Sequence, residues 1–176
     1  MAQERKNAVT FKGNPLTLVG PELKTGDEAP DFKVVDTALK PVTLASSKGK
    51  TRLISVVPSI DTPVCDLQTK RFNQEASKFP AGIVVLTVSM DLPFAQGRWC
   101  GLASADKIQM LSDYQEASFG NAYGVLIKEL KLLSRAIFVI GTDDKIQYVE
   151  YVKEITTPPD YEKALQSLKP KSCCCG

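Results

Sequence analysis

The stretch Pro58-Ser59-Ile60-Asp61-Thr62-Pro63-Val64-Cys65 is where side-chain type and spacing point to chemistry. If Thr62 caps a helix that begins at Pro63, Cys65 falls in the first helical turn. Backbone N–H groups there have no intrahelical acceptor, and the helix end carries about half a positive charge. Both favour a thiolate over a thiol, the form in which cysteine is a nucleophile. Arg135 is the candidate cation beside it, because a guanidinium stays charged and can hold a thiolate and an oxygen substrate through one fork of donors. The plain alternative for each residue is structural: a buried core cysteine, a helix cap and a surface arginine. The order of strand, capping residue, proline and cysteine favours an exposed, reactive first-turn thiol at Cys65.

A second thiol, Cys100, lies in Arg98-Trp99-Cys100-Gly101. It reads either as a core cysteine beside a tryptophan or as a partner that captures an oxidised Cys65 before further oxidation. Capture needs Cα atoms within about 7 Å; if both thiols lie on helices, the first turn of one or the whole of the other is expected to unwind. Gly97 and Gly101 would ease that.

Composition narrows the chemistry further. The chain has 176 residues and no histidine. Ser-His-Asp triads, Cys-His dyads and histidine-ligated metals are therefore excluded. Lys and Arg number 22 against 20 Asp and Glu, a net charge of +2 that implies neither nucleic acid nor an acidic membrane as partner. Five cysteines, three of them adjacent at Cys173, Cys174 and Cys175, do not make a secreted disulfide framework. No C-x-x-C is present. The opening MAQERKNAVTF leads into no apolar signal core, and no apolar run approaches the roughly 18 residues that span a bilayer. A reducing cytoplasm is the expected location.

The elements around these residues follow from periodicity and breakers. Segments 8–12 and 16–19 read as a hairpin turning at Gly13-Asn14-Pro15. Segments 31–36 and 42–44 read as short strands, and 52–57 and 82–88 as buried parallel strands. A helix is expected from Thr62 to Phe79, a short helix or turn-rich segment over 92–102, a strand over 107–111 and a weak helix over 113–123. Segments 135–140 and 145–152 form strands joined by Gly141-Thr142-Asp143-Asp144, and 159–168 a closing helix. This order predicts a thioredoxin-like α/β fold, a mixed central sheet flanked by helices with an N-terminal β-hairpin extension. Residues 1–169 read as one domain and 170–176 as a cysteine-rich disordered tail. Spare thiols are the plain reading of that tail, with lipidation or soft-metal binding as alternatives.

P-x-x-x-T-x-x-C, filled by Pro58, Thr62 and Cys65, resembles the peroxiredoxin active-site pattern, and Arg135 falls where that family has its arginine. The stretches SIDTPVCDLQTKRFN, DLPFAQGRWCG, VTFKGNPLTLVG and EITTPPDYEKAL are similar to the thiol peroxidase branch, atypical two-cysteine peroxiredoxins. The resemblance implies a thiol-dependent peroxidase acting on hydrogen peroxide and organic hydroperoxides, with Cys65 peroxidatic and Cys100 resolving. It implies a Cys65–Cys100 disulfide within one chain, recycling by thioredoxin, and a homodimer. Thr62 and Arg135 would position the peroxide, Pro58 would shield the site from water, and no metal, flavin or haem would be needed. Two other readings use the same residues: a redox sensor or relay that passes oxidation to a partner protein, and a non-catalytic binding module with an inert Cys65.

Overall fold

The computed structural model describes residues 3–169. The cysteine run at Cys173, Cys174 and Cys175 lies outside the described residues.

Seven strands form one mixed sheet: β3 (Lys33–Asp36), β4 (Pro41–Thr43), β5 (Thr51–Val56), β6 (Ile83–Ser89), β7 (Gln109–Ser112), β9 (Ala136–Ile140) and β10 (Ile146–Tyr151), in the spatial order β10-β9-β5-β6-β7-β3-β4. The central strands β5, β6 and β7 run parallel, while β9 and β3 flank them antiparallel. The parallel strands are almost wholly apolar because both sheet faces are covered. Alternation along β5 sends Leu53 to a core shared with Phe72 of α1 (Pro63–Ala76) and Ala164 of α4 (Tyr161–Ser167). Ile54 and Val56 face the opposite core, with Phe119, Tyr123 and Phe138. Within that second core Phe119 and Tyr123 stack at 4.3 Å, and Phe138 meets Tyr123 edge-on at 5.1 Å.

A three-stranded sheet stands apart: the N-terminal hairpin β1 (Glu4–Phe11) and β2 (Asn14–Val19), joined on β2 by the two-residue β8 (Leu126–Ile127). The thioredoxin-like architecture with a hairpin extension is thus present. Local boundaries differ from expectation. The hairpin turns at Lys12-Gly13, both with positive φ (49° and 79°), rather than at Gly13-Asn14-Pro15. That pair gives the primed turn whose twist matches the strands, and Asn14 and Pro15 open β2 instead.

The helix expected over 113–123 is confined to α3 (Ser118–Ala122). Asp113 spends its carboxylate on the N–H groups of Phe119 and Gly120 (3.0 and 2.7 Å), fixing the preceding loop as a non-helical approach. The first cysteine helix stops at Ala76 rather than Phe79. By contrast the segment expected over 92–102 as a short helix or turn-rich stretch is a continuous helix, α2 (Pro93–Ala103). It ends where Ser104 turns left-handed (φ 51°). The last helix begins at Tyr161 after an Asp160 cap, whose carboxylate accepts the Lys163 N–H at 3.1 Å.

Candidate active site

Strand β5 delivers the chain to the site. It ends at Val56, and Pro58 stops the ladder. The loop that follows is tied down by Asp91, which accepts the Ser59 hydroxyl and the Ile60 N–H, both at 2.8 Å. Thr62 then takes the extended conformation of an N-cap (φ −94°, ψ 147°), and Pro63 opens α1. The cap differs from the one expected, however. The Thr62 hydroxyl bonds no N–H of the first turn. It lies 2.6 Å from Cys65 Sγ and 3.2 Å from the Ser59 carbonyl. With the sulfur ionised, its single proton is donated to sulfur.

Arg135 approaches the same sulfur from the start of β9. Its Nη2 stands 3.4 Å from Cys65 Sγ. The guanidinium is 2 % exposed and fully directed: Nε donates to the Ile155 carbonyl at 3.0 Å, and Nη1 donates to Gln68 Oε1 at 2.7 Å. Gln68 in turn donates to Ser55 Oγ at 2.8 Å. Three groups on β5, α1 and the loop after β10 therefore aim one cation. A buried guanidinium needs such partners, since an unsatisfied N–H in that position is costly.

Cys65 itself has no solvent-exposed surface, against the expectation of an exposed first-turn thiol. The side chain points inward, under Thr62 and Arg135. Those two residues, with Pro58, line a cleft of about 470 Å³. Its other walls are largely apolar and include Val64, Leu130, Leu132, Ile155 and the hairpin tip Phe11–Lys12. The sulfur thus lies behind the polar floor of an apolar cleft.

Cys100 sits in the latter half of α2, partly buried against Ile60, Trp99, Ala105 and Met110. Burial pushes its thiol up from the ordinary cysteine value. Both Cys65 and Cys100 are free thiols. Their helices are linked by Trp99, whose indole Nε1–H donates to Asp66 Oδ1 at 2.9 Å. Burial alone would push the Asp66 carboxyl up, but Lys70 and this indole more than offset it and hold it below its usual value.

Gln68, Ser55, Ile155, Asp66 and Asp91 were not singled out from the sequence. Gln68 carried a signal, being a polar residue one turn from Cys65 on the face of α1 that must be buried. The others act through contacts far apart in the chain.

Residues 24–165 match the redoxin family. The chain belongs to the redoxin family. Among redoxin relatives, the thiol peroxidase of Halalkalibacterium halodurans is 60% identical over 162 residues, 92% of this chain and 97% of that protein. The thiol peroxidase of Bacillus subtilis is 55% identical over 161 residues, 92% of this chain and 96% of its own length. A solved redoxin-like structure, the peroxiredoxin-like protein from Aquifex aeolicus, superposes with a TM-score of 0.85 at 42% identity, covering 92% of this chain and 95% of that one. This redoxin is a peroxiredoxin-type oxidoreductase with thiol-dependent peroxidase function. Among the described residues no helix is long and apolar enough to cross a membrane.

Proposed function

We propose that this chain reduces hydrogen peroxide and organic hydroperoxides at Cys65, that Cys100 of the same chain resolves the product, and that a thioredoxin returns the electrons. The observation that carries the reading is the convergence of Thr62 Oγ1 and Arg135 Nη2 on one sulfur behind a cleft. A hydroperoxide entering the cleft meets these two donors at its floor. Its alkyl group lies against Val64, Leu130, Leu132 and Ile155, and Pro58 keeps water from the reacting atoms.

The Cys65 thiolate attacks the terminal peroxide oxygen and the O–O bond breaks. The departing oxygen takes a proton and leaves as alcohol or water, and Cys65 becomes a sulfenic acid. Thr62 and Arg135 donate to the negative charge as it spreads over sulfur and oxygen, which is electrostatic stabilisation by groups oriented in advance. The Cys100 thiol then condenses with the sulfenic acid, forming the Cys65–Cys100 disulfide and releasing water. Two electrons and two protons from a thioredoxin dithiol restore both thiols by exchange. The first step leaves α2 as it stands, and in this reading the second draws Cys100 out of the helix in which it is packed. A reducing cytoplasm suits recycling by thioredoxin, and the assembly in this reading is a homodimer.

Steady-state peroxide consumption coupled to thioredoxin, its reductase and NADPH tests the reading. Wild type turns over. Cys65→Ser consumes no peroxide, and Cys100→Ser reacts once and stalls or over-oxidises. Full turnover by Cys100→Ser removes Cys100 as the resolving thiol. Oxidation of a partner protein outpacing peroxide turnover indicates a relay instead. Sedimentation equilibrium of the reduced protein decides the dimer.

A further inference from the structure

Oxidation of Cys65 and its capture by Cys100 are separate events, and they ask opposite things of α2. While peroxide reacts, α2 is folded and packs on the active-site side of the molecule. In the proposed reaction, capture moves the segment bearing Cys100 out of its formed helix toward a Cys65 buried in another. The structure shows how unevenly the helix is fastened. Its first half is held by buried Gln96, whose amide donates to Ser89 Oγ at 3.0 Å and to the Leu111 carbonyl at 2.9 Å. Past Gln96, among the described residues, one side-chain hydrogen bond ties the helix to the rest of the protein: Trp99 Nε1–H to Asp66 Oδ1 at 2.9 Å. The Arg98–Asp61 ion pair beside it is long, 3.9 Å, between side chains 68% and 63% exposed, and holds little.

The glycines of α2 agree with a segment made to release. A Cβ at Gly97 would make only an ordinary contact with Thr37 at 3.8 Å, and one at Gly101 would meet nothing. Neither glycine is demanded by packing, and each lowers helix stability by about 1 kcal/mol relative to alanine. They bracket Trp99 and Cys100.

Asp66 is the residue next to Cys65. The same helical turn therefore carries the thiol to be oxidised and the acceptor that fastens the segment bearing Cys100. We infer that Asp66 is a positioning residue for the resolving step: by accepting the Trp99 indole N–H it holds the Cys100 segment in its helix, and release of that contact sets how fast Cys100 reaches an oxidised Cys65. The inference rests on the reading that Cys100 resolves Cys65. The contact governs a competition. After a sulfenic acid forms, it is either captured by Cys100 with loss of water or oxidised by a second peroxide to sulfinic acid, which ends turnover. A tighter latch lengthens the exposure to the second fate.

The test is single turnover of reduced full-length protein with one equivalent of hydrogen peroxide, followed by rapid quench and intact mass. Disulfide appears as loss of two hydrogens, and sulfinic acid, scored with excess peroxide, as gain of two oxygens. The variants are Asp66→Ala, Asp66→Asn, Trp99→Phe and the Asp66→Ala/Trp99→Phe double. Asn keeps an oxygen acceptor for the indole but, like Ala, lacks the charge near Cys65. Any electrostatic effect on the peroxide step is therefore shared by Ala and Asn, while loss of the latch is confined to Ala.

A hydrogen bond to a charged acceptor is expected to hold the open population down about tenfold. Asp66→Ala and Trp99→Phe then each speed disulfide formation by about that factor and lower the sulfinic fraction. Asp66→Asn, which keeps only a weaker bond to a neutral oxygen, falls between wild type and Asp66→Ala, and the double variant gains nothing over either single. Equal rates in Asp66→Ala and Asp66→Asn, or a slower Asp66→Ala, overturn the proposal. The Ala-against-Asn comparison decides alone if Trp99→Phe does not fold. Absence of any Cys65–Cys100 disulfide in wild type is a different result: it removes Cys100 as resolving thiol, and the latch with it.

Discussion

Gln68 Oε1 lies 2.7 Å from Nη1 of Arg135, on the side of the guanidinium away from its carbonyl partner Ile155. The arginine's direction toward Cys65 is therefore set by an amide on the same helix as the cysteine. Gln68→Ala leaves a buried guanidinium N–H and the Ser55 hydroxyl without their partner, which costs about 1–3 kcal/mol of stability. It also frees Arg135 to swing. The expected outcome is roughly a tenfold fall in the second-order rate of Cys65 oxidation. Stopped-flow peroxide oxidation beside a chemical denaturation curve reads both effects. A rate equal to wild type in a folded variant excludes Gln68 from aiming the arginine.

Thr62 makes a sharper test, because the residue is an N-cap by backbone only. Thr62→Val keeps the shape and removes the hydroxyl, so helix stability changes little while Sγ loses its 2.6 Å donor. Removing one donor from a developing charge typically costs about a hundredfold in rate. Thr62→Val should slow peroxide reduction by that order with a melting temperature near wild type, and Thr62→Ser should recover most of the rate. A large loss of stability in Thr62→Val means that the hydroxyl caps the helix after all.

These two residues mark how far the sequence could be read. Thr62, Pro63 and Cys65 are neighbours, so helix-start chemistry alone placed the sulfur in a first turn. Arg135 was reachable from its place at the head of an apolar strand together with the family pattern. Its supports were not. Ser55, Gln68 and Ile155 converge from β5, α1 and the loop after β10, and only the sheet order β9-β5 brings them together. The burial of Cys65 escaped for the same reason, since the roof over it is Arg135 and Thr62. At the fold level, β8 is two residues long and exists through its pairing with β2, so no periodicity could announce it. Sequence leaves 92–102 between a short helix and a turn-rich segment, and Gln96 and Trp99 decide it by tertiary contacts.

Asp113 predicts a pH dependence of stability. Burial pushes its carboxyl up to about 6, although it accepts the N–H groups of Gly120 and Phe119. In the unfolded chain an aspartate titrates near 3.9. Between about pH 4 and pH 6 the folded state thus binds a proton that the unfolded state does not. The favourable contribution is complete below that window and is lost as pH rises through 6, with a span of about 3 kcal/mol. Thermal melts of wild type and Asp113→Asn at pH 5, 6 and 7 isolate it. Wild type should gain stability relative to Asp113→Asn as pH falls from 7 to 5. A constant difference across that range means that Asp113 does not titrate there.

The last prediction concerns the outer wall of the cleft. Glu154 accepts the hydroxyls of Thr156 and Thr10 and the N–H groups of Lys12, Gly13 and Thr156, at 2.7 to 3.1 Å. Led by the Thr156 hydroxyl and the Gly13 N–H, these donors hold its carboxyl down at about 2. The clamp is therefore charged and intact at every pH above roughly 3. It joins the hairpin tip, where Phe11 and Lys12 line the cleft, to the loop whose Ile155 carbonyl takes Arg135 Nε. Glu154→Ala should release the amides of Lys12, Gly13 and Thr156 to hydrogen exchange. Cys65 oxidation should then slow more for a bulky organic hydroperoxide, which leans on that wall, than for hydrogen peroxide, which does not. A several-fold change in the ratio of the two rates is expected for one displaced apolar contact. If both substrates slow equally, the clamp acts on Arg135 through Ile155 and the hairpin is no part of the binding surface.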